Sequence, residues 1–353
     1  MILVGDAIDR LKEIPAATVQ TCVTSPPYWG LRNYGVGGQL GLEKTPEEYV
    51  AKLVSVFREV KRVLTDDGTL WLNLGDSYNG SQQTGGTNSL SGIKKHQPHG
   101  GILKQVPGLK SKDLVGIPWR VAFALQADGW YLRSDIIWHK PNPMPESVRD
   151  RPTKSHEYIF LMAKSSRYYY DADAIKEPAK ADYSADGLAG GWATARVPND
   201  NRRRKRYTRD QSGSGDGIKG HSGYHKANGE IIGDGKANKR SVWTITTKSY
   251  SGDHFATFPP EIPELCIKAG SKPGDTVLDP FAGSGTTLIV AKKLFRKFIG
   301  IELNPKYADE LIAPRLADVD PLFAEASKQK EIPDECNQGY RTTPTGRPYR
   351  DTT

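Results

Sequence analysis

A serine, two prolines and an aromatic residue follow one another at Ser25, Pro26, Pro27 and Tyr28, directly after a run typical of a β-strand. Each proline fixes its own φ angle, removes an N–H donor and drives the residue before it to extended geometry. The carbonyl groups of this segment are therefore expected to face a cavity without neighbouring donors, beside an aromatic ring. Such a cavity suits a planar base whose amino group needs acceptors, although a proline-rich turn that only closes a strand has the same composition.

The chemistry that this segment suits is the activation of an exocyclic amine. The amino groups of cytosine and adenine are poor nucleophiles because the ring withdraws the nitrogen lone pair. If the Ser25 hydroxyl and the Pro26 carbonyl accept the amine protons, the nitrogen becomes pyramidal and its lone pair is freed. Stacking on Tyr28 would hold the base in line with a group donor, and such contacts contribute about 1–3 kcal/mol each.

A second segment, from Thr276 to Thr287, is typical of a ligand-binding turn between a strand and a helix. An apolar strand ends in Asp279, and a Gly-x-Gly turn follows that lets the backbone approach a ligand and exposes the N–H groups of the next helix. Glu302, at the end of the following strand, is placed to accept from ribose hydroxyls. The turn is neither a Walker A loop nor a full dinucleotide fingerprint, which needs a glycine where Leu288 stands, yet alone it leaves an NAD enzyme open.

Strands and helices that alternate around both segments predict how they are positioned. In the helix from Thr45 to Leu64, Thr45 is the expected N-cap and Glu48 the third helical residue. This alternation is typical of a parallel sheet with covering helices. The predicted strands are Ile2–Val4, Gln20–Thr24, Gly68–Leu74, Tyr131–His139, Glu157–Ala163, Thr276–Asp279 and Phe298–Glu302. The predicted helices are Ala7–Ile14, Thr45–Leu64, Ile117–Ala127, Pro259–Ala269, Thr286–Leu294 and Pro305–Leu316.

A basic, glycine-rich stretch separates two parts of this α/β pattern. The chain carries a formal net charge of +8 over 353 residues, and much of the excess lies in and after the run from Arg202 to Arg206. A basic excess suits a polyanionic partner. The predicted domains are a catalytic half at 1–175 with a mobile loop at 76–112, a recognition insert at 176–241, a cofactor half at 242–318 and a tail at 319–353.

Several functional classes are disfavoured by composition. The longest apolar runs are too short to span a bilayer, and no secretory signal is apparent, so we expect a cytoplasmic protein without a membrane role. Cys22, Cys266 and Cys336 are scattered without metal-binding spacing, which predicts no structural zinc and no other metal site. None of the three follows a proline, as the nucleophile of carbon-5 cytosine methylation does, so that chemistry is also disfavoured.

Together the two segments resemble the amino-methyltransferases of DNA, which modify cytosine N4 or adenine N6 with S-adenosyl-L-methionine. The family's catalytic tetrapeptide, (Ser/Asp/Asn)-Pro-Pro-(Tyr/Phe), matches residues 25–28, and its cofactor motif Asp-Pro-Phe-x-Gly-Ser-Gly-Thr-Thr matches residues 279–287. The catalytic motif precedes the cofactor motif, with the variable region between them, which is similar to the family's beta order. The resemblance implies a doubly wound, Rossmann-like α/β sheet with an inserted, basic and largely irregular target-recognition region.

The resemblance also implies roles for individual residues. Asp279 would meet the methionine ammonium, Thr286 and Thr287 its carboxylate, and Glu302 the ribose. The catalytic set is Ser25, Pro26, Pro27 and Tyr28. The cofactor-binding set is Asp6, Ala7, Phe255, Phe258, Asp279, Phe281, Gly283, Ser284, Gly285, Thr286, Thr287 and Glu302. The DNA-binding set is Arg32, Tyr34, Trp138, Lys140, Arg202, Arg203, Arg204, Lys205 and Arg206.

The sequence therefore predicts a site-specific methyltransferase acting on double-stranded DNA, with a cognate restriction endonuclease as a possible partner. Ser25 in the first tetrapeptide position is similar to the cytosine-N4 members, whereas adenine-N6 members more often carry Asp or Asn, so cytosine is favoured and adenine stays open. A dinucleotide-dependent oxidoreductase and a non-catalytic DNA-binding protein are more distant alternatives. Recognition sequence and oligomeric state are not encoded in any pattern that we can interpret.

Overall fold

A computed structural model of the chain describes residues 1–31, 35–80, 106, 108–178, 236–247 and 258–319, with the backbone of two short strands at 224–225 and 231–232. The helices are α1 Ala7–Lys12, α2 Pro46–Val63, α3 Ile117–Ala127, α4 Glu261–Gly270, α5 Thr286–Lys293, α6 Pro305–Tyr307 and α7 Ala313–Ala317. The first five strands are β1 Ile2–Val4, β2 Val19–Thr24, β3 Leu64–Leu74, β4 Tyr131–His139 and β5 His156–Ala163. The remaining strands are β6 Glu177–Pro178, β7 Tyr224–His225, β8 Ile231–Ile232, β9 Lys236–Ala237, β10 Val242–Thr244, β11 Thr276–Asp279 and β12 Lys297–Glu302.

Eight strands form one mostly parallel sheet in the order β1-β12-β11-β2-β3-β5-β4-β10. Only β5 runs antiparallel to its neighbours, β3 and β4. The strands that we predicted before and after the basic stretch thus lie in a single sheet. The predicted α/β class with a mostly parallel sheet is confirmed.

Side chains from opposite faces of the sheet enter two separate hydrophobic clusters. On β3, Leu70 and Leu72 belong to the cluster beneath α1, α2 and α3, whereas Trp71 belongs to the cluster beneath α4 and α5. Successive residues of a strand point to opposite faces, so this alternation places helices on both sides of the sheet. The fold is therefore doubly wound, as predicted.

The long helix α2 begins where its sequence predicts. Thr45 adopts an extended conformation, its hydroxyl accepts from the Glu48 N–H at 3.2 Å, and Pro46 occupies the first helical position. Its buried stripe, which includes Tyr49, Leu53 and Val60, packs into the first cluster at the helical spacing expected for one face. This packing places the Tyr49 side chain beside the segment from Ser25 to Tyr28.

Three features of the local structure differ from the predictions. The helix predicted from Pro305 to Leu316 is interrupted by a π-helical turn at Ala308–Ile312, just before Pro314, which has no N–H to continue the ladder. The strand β3 begins at Leu64 rather than Gly68. The edge strand β10, Val242–Thr244, was not predicted.

Of the loop predicted as mobile at 76–112, residues 81–105 and 107 lie outside the described residues, and the described ends are held in place. Asp76 accepts from the backbone N–H groups of Gly116 and Ile117 at 3.0 Å each, and Tyr78 forms a β-bridge with Leu114. The side chain of Asn79 donates to the carbonyls of residues 109 and 110 at 2.9 and 3.0 Å. These contacts fix both ends of the loop beside the sheet edge.

The ends of the predicted insert also meet each other. β6 and β9 pair antiparallel, and Glu177 forms ion pairs with Lys239, at 3.2 Å, and with Arg240. The run from Arg202 to Arg206 lies outside the described residues. In the described part of the chain, no helix is long and apolar enough to cross a membrane.

Replacement of Thr45 by alanine tests the start of α2. The variant loses a side-chain acceptor for an exposed helix N-terminus, so we expect its free energy of unfolding to fall by about 1 kcal/mol. Urea-induced unfolding followed by circular dichroism measures the change. Thr45→Ser, which keeps the acceptor, serves as the matched control, and equal stability of all three proteins would contradict the assignment of the cap.

Candidate active site

The segment from Ser25 to Tyr28 and the segment from Thr276 to Thr287 meet at the carboxyl-terminal edge of the sheet. β2 and β11 are parallel neighbours, so both segments leave the sheet at the same edge. The Thr24 hydroxyl donates to the Asp279 carboxylate at 2.7 Å, and the Thr287 hydroxyl donates to the carbonyl of Val23 at 3.3 Å. These bonds tie the strand that carries the prolines directly to the strand and helix that carry the glycine turn.

A cleft between the segments encloses about 940 Å³, part of it open to solvent. Among the predicted catalytic residues, Ser25 and Pro27 line it. The predicted cofactor residues that line it are Asp6, Ala7, Phe258, Asp279, Phe281, Gly283, Ser284, Thr286, Thr287 and Glu302. Phe255 lies outside the described residues.

Two buried carboxylates form the polar wall of the cleft. Asp279 is 2% exposed and accepts from Thr24 and from the Phe281 N–H at 3.1 Å. Glu302 accepts from the N–H groups of Gly283 and Asn304 at 2.8 and 2.9 Å. Burial raises the pKa of Asp279 to about 6 and that of Glu302 to about 7. No basic side chain among the described residues forms an ion pair with either group, so the cleft suits a ligand that brings its own positive charge or hydroxyl donors.

The glycine turn and the start of α5 form a second wall. Gly285 has a φ of 78°, and a Cβ at this position would lie 2.9 Å from Ile312 Cγ2, so only glycine fits without strain. Gly285 does not line the cleft, in contrast to our expectation that it binds the cofactor; its place is behind the turn, where it lets α5 approach the helical segment at Ile312. The hydroxyls of Ser284 and Thr286 lie 3.3 Å apart at the helix N-terminus, where N–H groups favour an anion.

The first turn of α1 closes one end of the cleft. The Asp6 side chain caps this helix, accepting from the N–H groups of Ile8 and Asp9 at 2.9 and 3.3 Å. Both bonds use the same carboxylate oxygen, which leaves the other oxygen for a ligand donor. The Gly5 N–H donates to the Glu302 carbonyl at 2.9 Å and so joins this turn to the edge of β12.

Contacts with α2 and with the backbone after β3 hold the catalytic segment in place. Pro26 is buried, and the Tyr49 hydroxyl of α2 donates to the Pro27 carbonyl at 2.8 Å. No donor among the described residues is bonded to the Pro26 carbonyl. Tyr28 lies against the backbone of Gly75, where an added Cβ would come within 2.5 Å of its ring.

The hydroxyl of Tyr28 belongs to a network that our sequence analysis missed. It donates to Glu157 Oε2 at 2.6 Å and accepts from Asn73 Nδ2 at 2.9 Å, and Asn73 Nδ2 also lies 3.3 Å from Ser25 Oγ. Asn73 is near the end of β3 and Glu157 near the start of β5, and neither has a local motif that marks it. A polar residue inside an otherwise apolar strand was the only available signal.

Two short segments that the motifs did not mark also line the cleft. The first lies in the connection between β2 and α2 and contributes Val36, Gly38, Gln39 and Leu40. Leu303, Asn304 and Tyr307 line it just beyond Glu302. These three residues lie just after the end of β12, and this position could have identified them from the sequence.

Of the predicted DNA-contacting residues, the structure describes Trp138 and Lys140. Trp138 is 3% exposed and its indole N–H donates to the Ile245 carbonyl at 2.8 Å, so it is a core residue and the prediction of DNA contact is corrected. The Lys140 ammonium pairs with Glu157 and lies 4.3 Å from the centre of the Trp138 ring, which leaves its side chain 19% exposed. The residues Arg32, Tyr34, Arg202, Arg203, Arg204, Lys205 and Arg206 lie outside the described residues.

The described cysteines are poorly suited to nucleophilic chemistry. Cys22 and Cys266 are buried, and burial raises the pKa of both thiols well above the ordinary value. A thiolate is the reactive form of cysteine, so neither is activated. In the portion of the chain that the structure describes, no group of three His, Cys, Asp or Glu side chains is arranged to hold a metal.

Comparison with known proteins shows one family along most of the chain. Residues 19–313 match N6_N4_Mtase, described as DNA methylase. The Type II methyltransferase M.Cfr9I of Citrobacter freundii is 45% identical over 308 residues, which span 86% of this chain and 84% of that protein. M.SmaI of Serratia marcescens is 46% identical over 311 residues, 87% of each chain.

Solved structures share the fold at lower identity. The PvuII DNA methyltransferase, which is cytosine-N4-specific, has a TM-score of 0.55 and 19% identity over 92% of this chain and 89% of its own. A putative DNA modification methylase from Thermus thermophilus, solved in complex with S-adenosyl-L-methionine, has a TM-score of 0.50 and 23% identity over 90% of this chain and 96% of its own. At these identities the likeness establishes the fold.

The raised pKa of Glu302 predicts a pH dependence of stability. Between about pH 4.5, its ordinary pKa, and about pH 7, the folded state retains a proton that the unfolded state has lost, so stability falls as the pH rises through this window. Relative to the natural protein, Glu302→Gln should therefore gain up to about 3 kcal/mol between pH 5 and pH 8, at about 1.4 kcal/mol per pKa unit. Urea midpoints measured at several pH values without ligand test this.

A Glu302→Gln curve parallel to that of the natural protein would show that Glu302 titrates normally.

Proposed function

Because the chain belongs to the N6_N4_Mtase family of DNA methylases, we propose that it transfers a methyl group from S-adenosyl-L-methionine to the N4 amino group of a cytosine extruded from duplex DNA. The observation that carries this proposal is the junction of the two segments. Ser25 and Asp279, on neighbouring strands, line the same cleft, and the Thr24–Asp279 hydrogen bond of 2.7 Å holds their strand ends together. One side of that junction suits an amine and the other suits a cationic ligand.

The residues of the cleft fit the parts of S-adenosyl-L-methionine. Asp279 is a buried anion for the ammonium group, the start of α5 at Thr286 and Thr287 offers donors to the carboxylate, and Glu302 accepts from ribose hydroxyls. The free carboxylate oxygen of Asp6 is available to the adenine amino group, and Phe258 and Phe281 supply apolar surface. When bound, this cofactor supplies a methyl carbon on a positively charged sulfur, an electrophile that a weak nucleophile can attack.

The catalytic segment would orient the amine. The Pro26 carbonyl and the Ser25 hydroxyl accept the two amine protons, and this directs the nitrogen lone pair toward the methyl carbon. As the new N–C bond forms, the C–S bond breaks, and the amine later releases one proton to water. Holding the base in this geometry is the main contribution of the protein, because correct orientation alone can lower a barrier by several kcal/mol. No covalent bond between protein and base is required.

The target must leave the double helix to reach this segment. A paired base presents its amino group inside the duplex, so the enzyme has to extrude it at a cost of a few kcal/mol. Stacking on Tyr28 offsets part of that cost. The basic stretch at 176–241, predicted as the recognition insert, and the loop at Arg32 and Tyr34 are the proposed DNA contacts.

Cytosine is favoured over adenine by the residue at position 25. Serine there is similar to the cytosine-N4 members of the family, and its short hydroxyl accepts one amine proton without adding a negative charge. Adenine N6 is the alternative. The relatives are named as Type II methyltransferases, and a role in restriction–modification beside a cognate endonuclease in the cytoplasm completes the proposal.

Identification of the product nucleoside tests the choice of base. DNA without prior methylation, incubated with the enzyme and S-adenosyl-L-methionine and then digested, should yield N4-methyldeoxycytidine by liquid chromatography and mass spectrometry. N6-methyldeoxyadenosine would instead establish the alternative. A reaction with Asp279→Asn, which removes the anion proposed for the cofactor ammonium, should yield neither product at a comparable rate.

Ligand-dependent stability tests the cofactor. S-adenosyl-L-homocysteine keeps the ammonium, carboxylate and ribose groups, so at about 100 times its Kd it should stabilise the folded protein by about 2.7 kcal/mol. The rise in Tm, measured by differential scanning fluorimetry, should be absent with NAD. A larger shift with NAD than with S-adenosyl-L-homocysteine would favour the oxidoreductase interpretation.

A further inference from the structure

Glu157 is a part-buried carboxylate, with its side chain 15% exposed, beside the catalytic segment, and the proposed chemistry does not use it. It lies near the start of β5, where it accepts from the Tyr28 hydroxyl at 2.6 Å and from Asn73 Nδ2 at 3.1 Å. Its other oxygen forms an ion pair with Lys140, the first residue after β4. Polar side chains from three adjacent strands therefore lie together beside Tyr28. They are Asn73 from β3, Glu157 from β5 and Lys140 from just after β4.

The direction of these hydrogen bonds is determined by charge. Burial raises the pKa of Tyr28, and the negative charge of Glu157 raises it further, so the phenol keeps its proton and donates it to the carboxylate. Burial alone would raise the pKa of Glu157, but the positive charge of Lys140 and the bonds from Lys140, Tyr28 and Asn73 outweigh it and lower the pKa. The carboxylate is therefore a permanent acceptor, and hydrogen bonds to charged acceptors are the stronger kind.

The orientation of Asn73 follows from the same charge. Its amide nitrogen faces the Glu157 carboxylate, the Tyr28 hydroxyl at 2.9 Å and the Ser25 hydroxyl at 3.3 Å. A flipped amide would place its oxygen against the carboxylate, which is repulsive. Asn73 hence joins both ends of the tetrapeptide, Ser25 and Tyr28, to the Glu157 anchor.

We propose that Glu157 is a positioning residue for methyl transfer, which with Asn73 and Lys140 locks the Tyr28 ring in the plane that stacks on the target base. The inference rests on the proposed function and adds Glu157 and Asn73 to it, which no motif identifies. The ring is restrained at two places: its hydroxyl by Glu157 and Asn73, and its edge by the close approach to Gly75. A side chain with two free torsions becomes a rigid platform.

A purely structural role for Glu157 makes different predictions. A buried ion pair that only stabilises the fold would, when broken, lower the Tm and weaken cofactor and DNA binding together. A positioning role lowers the rate of methyl transfer while the cofactor cleft, lined by other residues, keeps its affinity. It also requires that Tyr28 and Glu157 act as one unit, so that their effects are not additive.

The test is a double-mutant cycle of Tyr28→Phe and Glu157→Gln in the full-length protein. Single-turnover transfer of tritiated methyl from S-adenosyl-L-methionine to unmethylated plasmid DNA is measured with enzyme in excess. Each single variant should be slower by about 10-fold, because Tyr28→Phe removes the hydrogen bond to the charged acceptor and Glu157→Gln replaces it with a weaker bond to a neutral amide. The double variant should be within about 3-fold of the slower single variant. The Tm shift caused by S-adenosyl-L-homocysteine and the KM for DNA should be unchanged.

Two further variants sharpen the comparison. Glu157→Gln should retain more activity than Glu157→Ala, because glutamine still accepts from Tyr28. Glu146→Gln breaks the ion pair of 2.6 Å with Arg151 in the same connection between β4 and β5 and should keep the natural rate. If Glu157→Gln fails to fold because Lys140 loses its partner, Lys140→Gln combined with Glu157→Gln removes both charges and replaces it in the cycle.

Losses that multiply to about 100-fold in the double variant, or a natural rate in Glu157→Gln, would overturn the positioning role while leaving the methyltransferase assignment intact. Loss of the S-adenosyl-L-homocysteine shift in Glu157→Gln would assign it a structural role instead. Failure of the natural protein to transfer any tritium would reject the proposed function itself.

Discussion

The parallel pairing of β2 with β11 is the constraint on which the rest of the site depends. Thr24 and Asp279 are 255 positions apart in sequence, yet their side chains share a hydrogen bond of 2.7 Å because the two strands are neighbours and end at the same edge. An antiparallel pairing would put Ser25 at the opposite edge of the sheet, a full strand length away. The chemistry of an amine facing an electrophile therefore follows from strand direction before any side chain is considered.

This arrangement also explains how the sheet accommodates the basic insert. The insert leaves after β5 and returns at β10, on the far side of the sheet from β1 and β12, and its two ends are joined through β6 and β9. Once the ends are joined, the length between them has little effect on the core, since doubling a flexible loop costs only about 0.6 kcal/mol. The number of residues between β6 and β9 can thus vary without moving Ser25 relative to Asp279.

The sequence was sufficient for features that depend on local spacing. The Pro-Pro segment, the glycine turn and the capped helix at Thr45 each depend on residues that are neighbours along the chain, and the sheet class follows from their alternation. Glu157 and Asn73 were missed because their function depends on contacts across three strands, which no local pattern encodes. Trp138 was misassigned for the same reason: the sequence places an aromatic residue at a strand end but does not tell which face of the sheet receives it.

The two ligands of the proposed reaction, DNA and the cofactor, carry charges of opposite sign. With a net charge of +8, the protein as a whole attracts DNA and repels a cationic cofactor. Asp279 and Glu302 reverse the sign locally, and because both are buried they are screened by salt far less than the exposed lysines and arginines. In the proposed reaction these two carboxylates would therefore receive a cationic ligand that the rest of the protein surface repels.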